Sequence, residues 1–168
     1  MKDTFETGLS PAQAERLVML VEETGEFMMA AAGLPLAIAK NAPAPRHELA
    51  RECADILAVS LLFRPDLSIP SRLATPAEIE DPAMHLVELT GAAGRVGQIA
   101  CKCLRHGYGS FHPDDPHRDN RRLLGEALAD FLALVEKDTD FMSEEDISPA
   151  DTLARKLEYS HFQDHPYA

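Results

Sequence analysis

The sequence predicts an all-α protein, a four-helix bundle made of two helical hairpins and followed by a short C-terminal helix. Of its 168 residues 45% are hydrophobic but only 6% are aromatic, which suits helices packed through Leu, Ala, Val and Met. Apolar positions recur at helical spacing between capping residues and prolines. The two halves of the chain are also related as an internal repeat. The length favours one domain over residues 1–168.

The first hairpin is expected over residues 11–62. Its first helix begins at Ser10-Pro11-Ala12-Gln13, because Ser suits the N-cap, Pro the first helical position and Gln the third. We expect this helix to end just before Gly33. Three prolines between residues 34 and 46 predict a loop or a broken short helix, and the second helix follows it to about Leu62.

The second hairpin is expected over residues 82–136, after a connector that contains Pro65, Pro70 and Pro76 and ends at Pro82. Its first helix should end by Gly107, and a loop should then lead to its second helix. Asp119 or Asn120 is the expected N-cap of that second helix. A final helix is expected over about residues 149–160, because another Ser-Pro start precedes it.

The internal repeat aligns residues 17–26 with 86–95 and residues 55–59 with 130–134. The acidic residues of the first copy are not reproduced in the second, and Glu26 falls on Arg95. We interpret the repeat as a pseudo-twofold bundle in which the first hairpin carries acidic groups and the second contributes cations.

Charge and cysteine content exclude several classes of function. A formal net charge of −12 disfavours binding to a nucleic-acid polymer, whose phosphates require an extended basic surface. No run of residues reaches the ~18 apolar positions of a membrane span, and the N-terminus lacks an apolar signal core. The three cysteines have no zinc-like spacing and are interpreted as reduced core thiols. We therefore expect a soluble cytoplasmic protein.

Two pairs of acids are the most informative feature of the sequence. Glu23 and Glu26 are three residues apart, as are Glu52 and Asp55, so each pair lies about 60° apart around a helix. The repulsion within each pair is relieved by a hard divalent cation, either Mg²⁺ or Mn²⁺. One such pair is usually a solvated face, but two pairs beside apolar stripes of neighbouring helices favour a metal site. Glu48 is a fifth candidate ligand or simply an acid favoured by the helix dipole.

Basic residues form a stripe on the third helix. Arg95, Lys102 and Arg105 lie within about 80° of one another around it. These side chains could bind phosphates. Lys102 and Arg105 are equally explained as surface cations favoured near the C-terminus of a helix.

Glu-Glu-x-x-Glu at residues 22–26 and Glu-x-x-Asp at residues 52–55 together resemble the MazG-like branch of the all-α nucleoside triphosphate pyrophosphohydrolases. The resemblance covers about residues 11–136, but its acidic motifs lie only in the first hairpin. It implies Mg²⁺-dependent cleavage of an NTP or dNTP between the α and β phosphates, giving a monophosphate and pyrophosphate.

The resemblance also implies roles for individual residues. By position, the metal ligands would be Glu23, Glu26, Glu52 and Asp55. Glu22, the first acid of the motif, is the candidate for orienting or deprotonating the attacking water. The implied partner is a nucleoside triphosphate.

Two alternatives stay open. A phosphoribosyl-ATP pyrophosphohydrolase would use a similar set of acids on a bundle, whereas a catalytically silent bundle would bind a partner or only sense metal.

The oligomeric state is also open, because the internal repeat could replace a homodimer, yet a remaining apolar helix face could pair chains into a homodimer or homotetramer. The base and sugar preference is not encoded in these motifs.

Overall fold

The computed structural model describes residues 7–39, 46–63, 66–69, 81–137 and 148–158. Within these ranges the predicted all-α bundle is confirmed, with one small sheet added to it. The elements in chain order are α1 (Pro11–Ala39), α2 (Arg46–Leu61), α3 (Pro82–His106), β1 (Phe111–His112), β2 (Asp115–Asp119), α4 (Asn120–Lys137) and α5 (Pro149–Glu158).

The helices share one apolar core. α1 packs against α2 and α3, α3 packs against α4, and α2 also contacts α4 and α5. Phe27 of α1 meets Phe131 of α4 in the middle of this core, with the rings edge to face and their centroids 5.8 Å apart. None of the helices in the described ranges has both the length and the apolar character needed to cross a membrane.

The predicted helix starts are present in the structure. At α1 the Gln13 backbone N–H donates to Ser10 Oγ over 3.2 Å, and the Ser10 N–H donates to Gln13 Oε1 over 2.9 Å, which is a complete capping box. At α3 the Asp81 side chain accepts a hydrogen bond from Ala83 N. The cap of α4 is Asp119, whose Oδ1 accepts from Arg122 N over 2.8 Å.

Asn120 has a different role from the predicted cap. Its buried side-chain amide donates to the carbonyl oxygen of Gly107 over 3.0 Å and so connects the start of α4 to the end of α3. Gly107 has φ +80°, and a Cβ there would lie 2.0 Å from the carbonyl oxygen of Thr7. The predicted end of α3 therefore requires glycine both for its backbone angle and for space.

The predicted end of α1 at Gly33 is wrong, because the helix continues through Gly33 to Ala39. Gly33 is not among the glycines with positive φ, and the next residue, Leu34, is buried in the core, so packing continues the helix past a residue that often ends one. Only residues 40–45 of the predicted loop lie outside the described residues.

Two other expectations need correction or fall outside the described ranges. The loop expected between α3 and α4 contains the short antiparallel pair β1–β2, which was not predicted. Most of the connector before α3, residues 70–80, is outside the described residues, as are residues 159 and 160 of the predicted final helix.

Gly97 lies where α1 and α3 approach each other closely. A Cβ on Gly97 would lie 2.6 Å from Oγ1 of Thr24, a buried residue that also donates a hydrogen bond to the carbonyl of Val21. A side chain at this position would therefore force the two helices apart. Thr24 directly follows Glu23, so this close contact lies next to the first acid pair.

We expect Gly97→Ala to lower the free energy of unfolding by about 1–3 kcal/mol because it overpacks this crossing. Gly91→Ala is the matched control: Gly91 lies on the same helix, is exposed and has open space around it, so alanine should raise stability by about 0.5–1 kcal/mol. Urea unfolding followed by circular dichroism measures both changes. Equal effects of the two substitutions would contradict the close crossing.

The cysteines differ in exposure. Cys53 and Cys103 are buried as predicted, but Cys101 is exposed and is not a core thiol. Burial, assisted by the nearby negative charge of Asp119, raises the pKa of Cys103 to about 12. That thiol is therefore poorly reactive in the folded protein.

A thiol-specific reagent such as DTNB should label one thiol rapidly in the folded chain and three after unfolding in guanidinium chloride. Cys101→Ser should abolish the rapid reaction and leave only the reaction of the two buried thiols, which occurs on unfolding. Rapid labelling of two or more thiols under native conditions would show that the packing around Cys53 or Cys103 is wrong.

Candidate metal centre

Four carboxylates meet where α1 and α2 pack together. Glu23 and Glu26 come from α1, and Glu52 and Asp55 come from α2. One oxygen of each side chain lies within 4.8 Å of one oxygen of every other. The two acid pairs that the sequence singled out are thus brought together in space, as expected from side chains one turn apart on facing helices. We call these four residues the carboxylate cluster.

The carboxylate cluster lies at the border of the core. Glu23, Glu52 and Asp55 are only 4%, 3% and 3% exposed, whereas Glu26 is exposed. The burial follows from the sequence, because apolar core residues separate or follow these acids on both helices, among them Phe27, Cys53 and Ile56. Three ionisable groups are therefore largely withdrawn from water and held near one another, which is costly unless cations compensate for it.

Three basic side chains provide part of this compensation. Lys156 Nζ lies 2.7 Å from Glu23 Oε1 and 3.1 Å from Asp55 Oδ2, so it bridges α1 and α2. Arg155 Nη2 lies 3.2 Å from Asp55 Oδ1. Arg51, from α2 itself, pairs with Glu52 Oε1.

Two carboxylate oxygens keep acceptor capacity that these cations do not use. Glu23 Oε2 and Glu52 Oε2 are both buried, and neither has a hydrogen-bond partner within the part of the chain that the structure describes. A buried carboxylate oxygen without a partner is unfavourable, so both oxygens favour a further cation. The donors in the carboxylate cluster are all oxygens, which fits a hard divalent ion such as Mg²⁺ or Mn²⁺.

The charge balance of the carboxylate cluster appears in the pKa values. Burial raises the pKa of Glu23; Lys156 opposes this effect, and the negative charges of Asp55 and Glu26 add to it. Burial also raises the pKa of Glu52, against the effect of Arg51. For Lys156, burial acts to lower the pKa, but its bonds to Glu23 and Asp55 outweigh burial and raise it. The neighbouring cations thus offset the burial of Glu23 and Glu52 only in part, while Lys156 is held in its charged form.

An open cavity of about 670 Å³ adjoins the carboxylate cluster. Its volume is in the range of small-molecule sites. Glu26, Glu52 and Asp55 form one part of its wall, and the rest includes Met29, Ala30, Glu48, Arg51, Arg155 and Lys156. A ligand in this cavity would contact the acidic groups and the basic groups together.

The other predicted site residues lie outside this cavity wall. Glu22 is exposed, one helical turn before Glu26. On α3, Arg95 pairs with Asp130 over 3.4 Å, and the Arg105 Nε donates to the neighbouring His106 over 2.8 Å. Lys102 is partly buried on the same helix. Phosphate binding by these three cations stays a prediction, whereas among the described residues the cations paired with the carboxylate cluster come from α2 and α5.

Sequence reasoning missed Arg51, Arg155 and Lys156. Arg51 stands directly before Glu52, and Arg155 and Lys156 are in the last turn of α5, where basic residues are expected from the helix dipole alone. The available signal was two adjacent cations on a short helix of a chain with net charge −12. That signal does not specify which acidic surface the helix contacts.

Comparisons of the chain with protein-family models, with curated proteins and with solved structures found no match.

We expect Glu26→Gln to raise the free energy of unfolding of the metal-free protein by roughly 0.5 kcal/mol, because it removes one charge that repels Glu23 and Glu52. The same change should weaken Mn²⁺ binding at least several-fold. Thermal unfolding with EDTA and calorimetric titration with Mn²⁺ measure the two effects. The control is Glu88→Gln, an exposed glutamate on α3, which should alter neither. A loss of metal-free stability in Glu26→Gln would contradict the repulsion.

Proposed function

We propose that this protein is a Mg²⁺-dependent nucleoside triphosphate pyrophosphohydrolase, which cleaves an NTP or dNTP to a nucleoside monophosphate and pyrophosphate. One observation carries the proposal: four carboxylates from two packed helices converge beside an open cavity that also presents basic side chains. Phosphoryl transfer requires mainly charge neutralisation and positioning from a protein, and this arrangement supplies groups for both.

Glu23, Glu26, Glu52 and Asp55 are the proposed metal ligands. Bound divalent ions would lower the pKa of a coordinated water and neutralise charge that develops on the phosphates. The protein's part is to present oxygen ligands from both sides of the α1–α2 seam. The unpartnered oxygens of Glu23 and Glu52 are the two that most favour a cation. Mn²⁺ should replace Mg²⁺, because both accept carboxylate ligands.

The proposed reaction is an in-line displacement at the α phosphorus. The oxygen of water forms a bond to the α phosphorus. The bond between the α phosphorus and the oxygen that bridges to the β phosphorus breaks, and pyrophosphate leaves with the bridging oxygen. Glu22 is the candidate for accepting a proton from the water, since it is an exposed carboxylate one helical turn from Glu26. The motif resemblance at residues 22–26 and 52–55 supports this assignment of roles.

A catalytically silent bundle is the second candidate function. The contacts of Lys156 and Arg155 favour it, because the ammonium group of Lys156 and the guanidinium group of Arg155 already pair with acids that would bind metal. In that case α5 would be a permanent structural partner of the carboxylate cluster. The two functions differ in whether metal and nucleotide bind together.

The proposed setting is the cytoplasm, and the proposed partner is a free nucleotide. The three thiols suit a reducing compartment. A net charge of −12 repels polymeric nucleic acid, but a triphosphate that brings its own divalent ions carries much less negative charge.

Purified protein should release pyrophosphate from at least one ribo- or deoxynucleoside triphosphate, or from phosphoribosyl-ATP, when Mg²⁺ is present and not when EDTA is. Glu23→Gln and Asp55→Asn should each reduce kcat/KM by about 100-fold or more, as expected for loss of groups that position charge in phosphoryl transfer. Glu22→Gln should lower kcat more than it raises KM.

Arg122→Gln is the control for these measurements, since Arg122 pairs with Glu126 on α4, away from the cavity. It should retain full activity. Activity that survives both Glu23→Gln and Asp55→Asn would refute the site. A chain that shows no metal-dependent nucleotide binding would instead support the silent bundle.

A further inference from the structure

The last described helix, α5, places two cationic side chains between the carboxylate cluster and the open cavity. Arg155 and Lys156 both contact the carboxylate cluster, and both also line the open cavity. Lysine and arginine side chains are long and flexible, so a small rotation about their bonds moves the charged group from the carboxylate cluster to the cavity. The helix backbone does not have to move.

Metal binding would change the balance of charge around these cations. Within the described residues, the four acids of the carboxylate cluster and Glu48 in the cavity wall bring five formal negative charges to the three positive charges of Arg51, Arg155 and Lys156. One divalent ion therefore neutralises the site, and a second makes it net positive. The repulsion between bound metal ions and the basic side chains is removed if an anion with several charges enters together with the metal.

Metal and Lys156 also compete for the same ligands. Lys156 occupies Glu23 Oε1 and Asp55 Oδ2, one oxygen from each of the two helices that the metal would connect. An ion bound by both residues therefore weakens the contacts of the ammonium group. The nearest open space for the displaced group is the cavity whose wall it already forms.

We propose that Arg155 and Lys156 of α5 bind the polyphosphate of the substrate, and that in the ligand-free protein the same two side chains neutralise the carboxylate cluster. This inference rests on the proposed function, because it names the substrate-binding cations of that site. Oxygens of a linear polyphosphate accept charge-assisted hydrogen bonds from both kinds of cation. The two side chains thus exchange carboxylate partners for phosphate partners when metal and substrate bind.

The test uses the full chain and two probes, Mn²⁺ alone and Mn²⁺ with inorganic tripolyphosphate, in calorimetric titrations. The variants are Lys156→Met, Arg155→Gln and the double substitution, with Arg122→Gln as a charge-matched control on α4. The double variant should bind Mn²⁺ alone several-fold more tightly than the parent, because a competing cation is removed. It should bind the tripolyphosphate complex at least about tenfold more weakly, since charge-assisted hydrogen bonds are lost.

Lys156→Arg and far-UV circular dichroism test whether a loss of binding comes from unfolding. Lys156→Arg retains the charge and should keep most of the tripolyphosphate affinity. Unchanged tripolyphosphate affinity in the folded double variant would overturn the inference, and so would weaker binding of Mn²⁺ alone, because α5 would then act only as a structural support. If the parent chain binds no Mn²⁺, the proposed function itself fails, and this result is distinct from the other two.

Discussion

The structure has to compensate for the repulsion among four carboxylates that are held at the edge of an apolar core. Burial weakens the screening of Glu23, Glu52 and Asp55 by water, so each charge acts strongly on the others. The α1–α2 packing that buries apolar side chains cannot form without bringing these acids together. Stability of the bundle and positive charge near this seam are therefore linked, whether the charge comes from the chain or from a bound ion.

This constraint gives α5 its place in the fold. Its Arg155 reaches Asp55 across 100 positions of sequence, and Lys156 connects two helices at once. A helix of ten residues is too short to be stable by itself, so its contacts with α2 and the carboxylate cluster hold it. The same side chains form one side of the cavity. The groups that offset the charge of the buried acids therefore also shape the candidate site.

Local signals in the sequence predicted much of this arrangement. The capping box at Ser10 and Gln13 and the glycine end at Gly107 each involve residues a few positions apart, and both are present. The acid pairs were predictable because helical spacing and flanking apolar residues place them on one edge. The continuation of α1 beyond Gly33 was not, because burial of Leu34 outweighs a local preference. The contacts of Lys156 depend on tertiary placement, which no local pattern specifies.

The close contact between Thr24 and Gly97 has a consequence for attempts to redesign the protein. Because Thr24 follows Glu23, this contact holds the part of α1 that carries the first acid pair closely against α3. Substitutions that make the α1–α3 crossing bulkier would turn or translate α1 and separate its carboxylates from those of α2. A variant selected only for tighter packing at that crossing would therefore change the geometry of the carboxylate cluster without any substitution in the cluster itself.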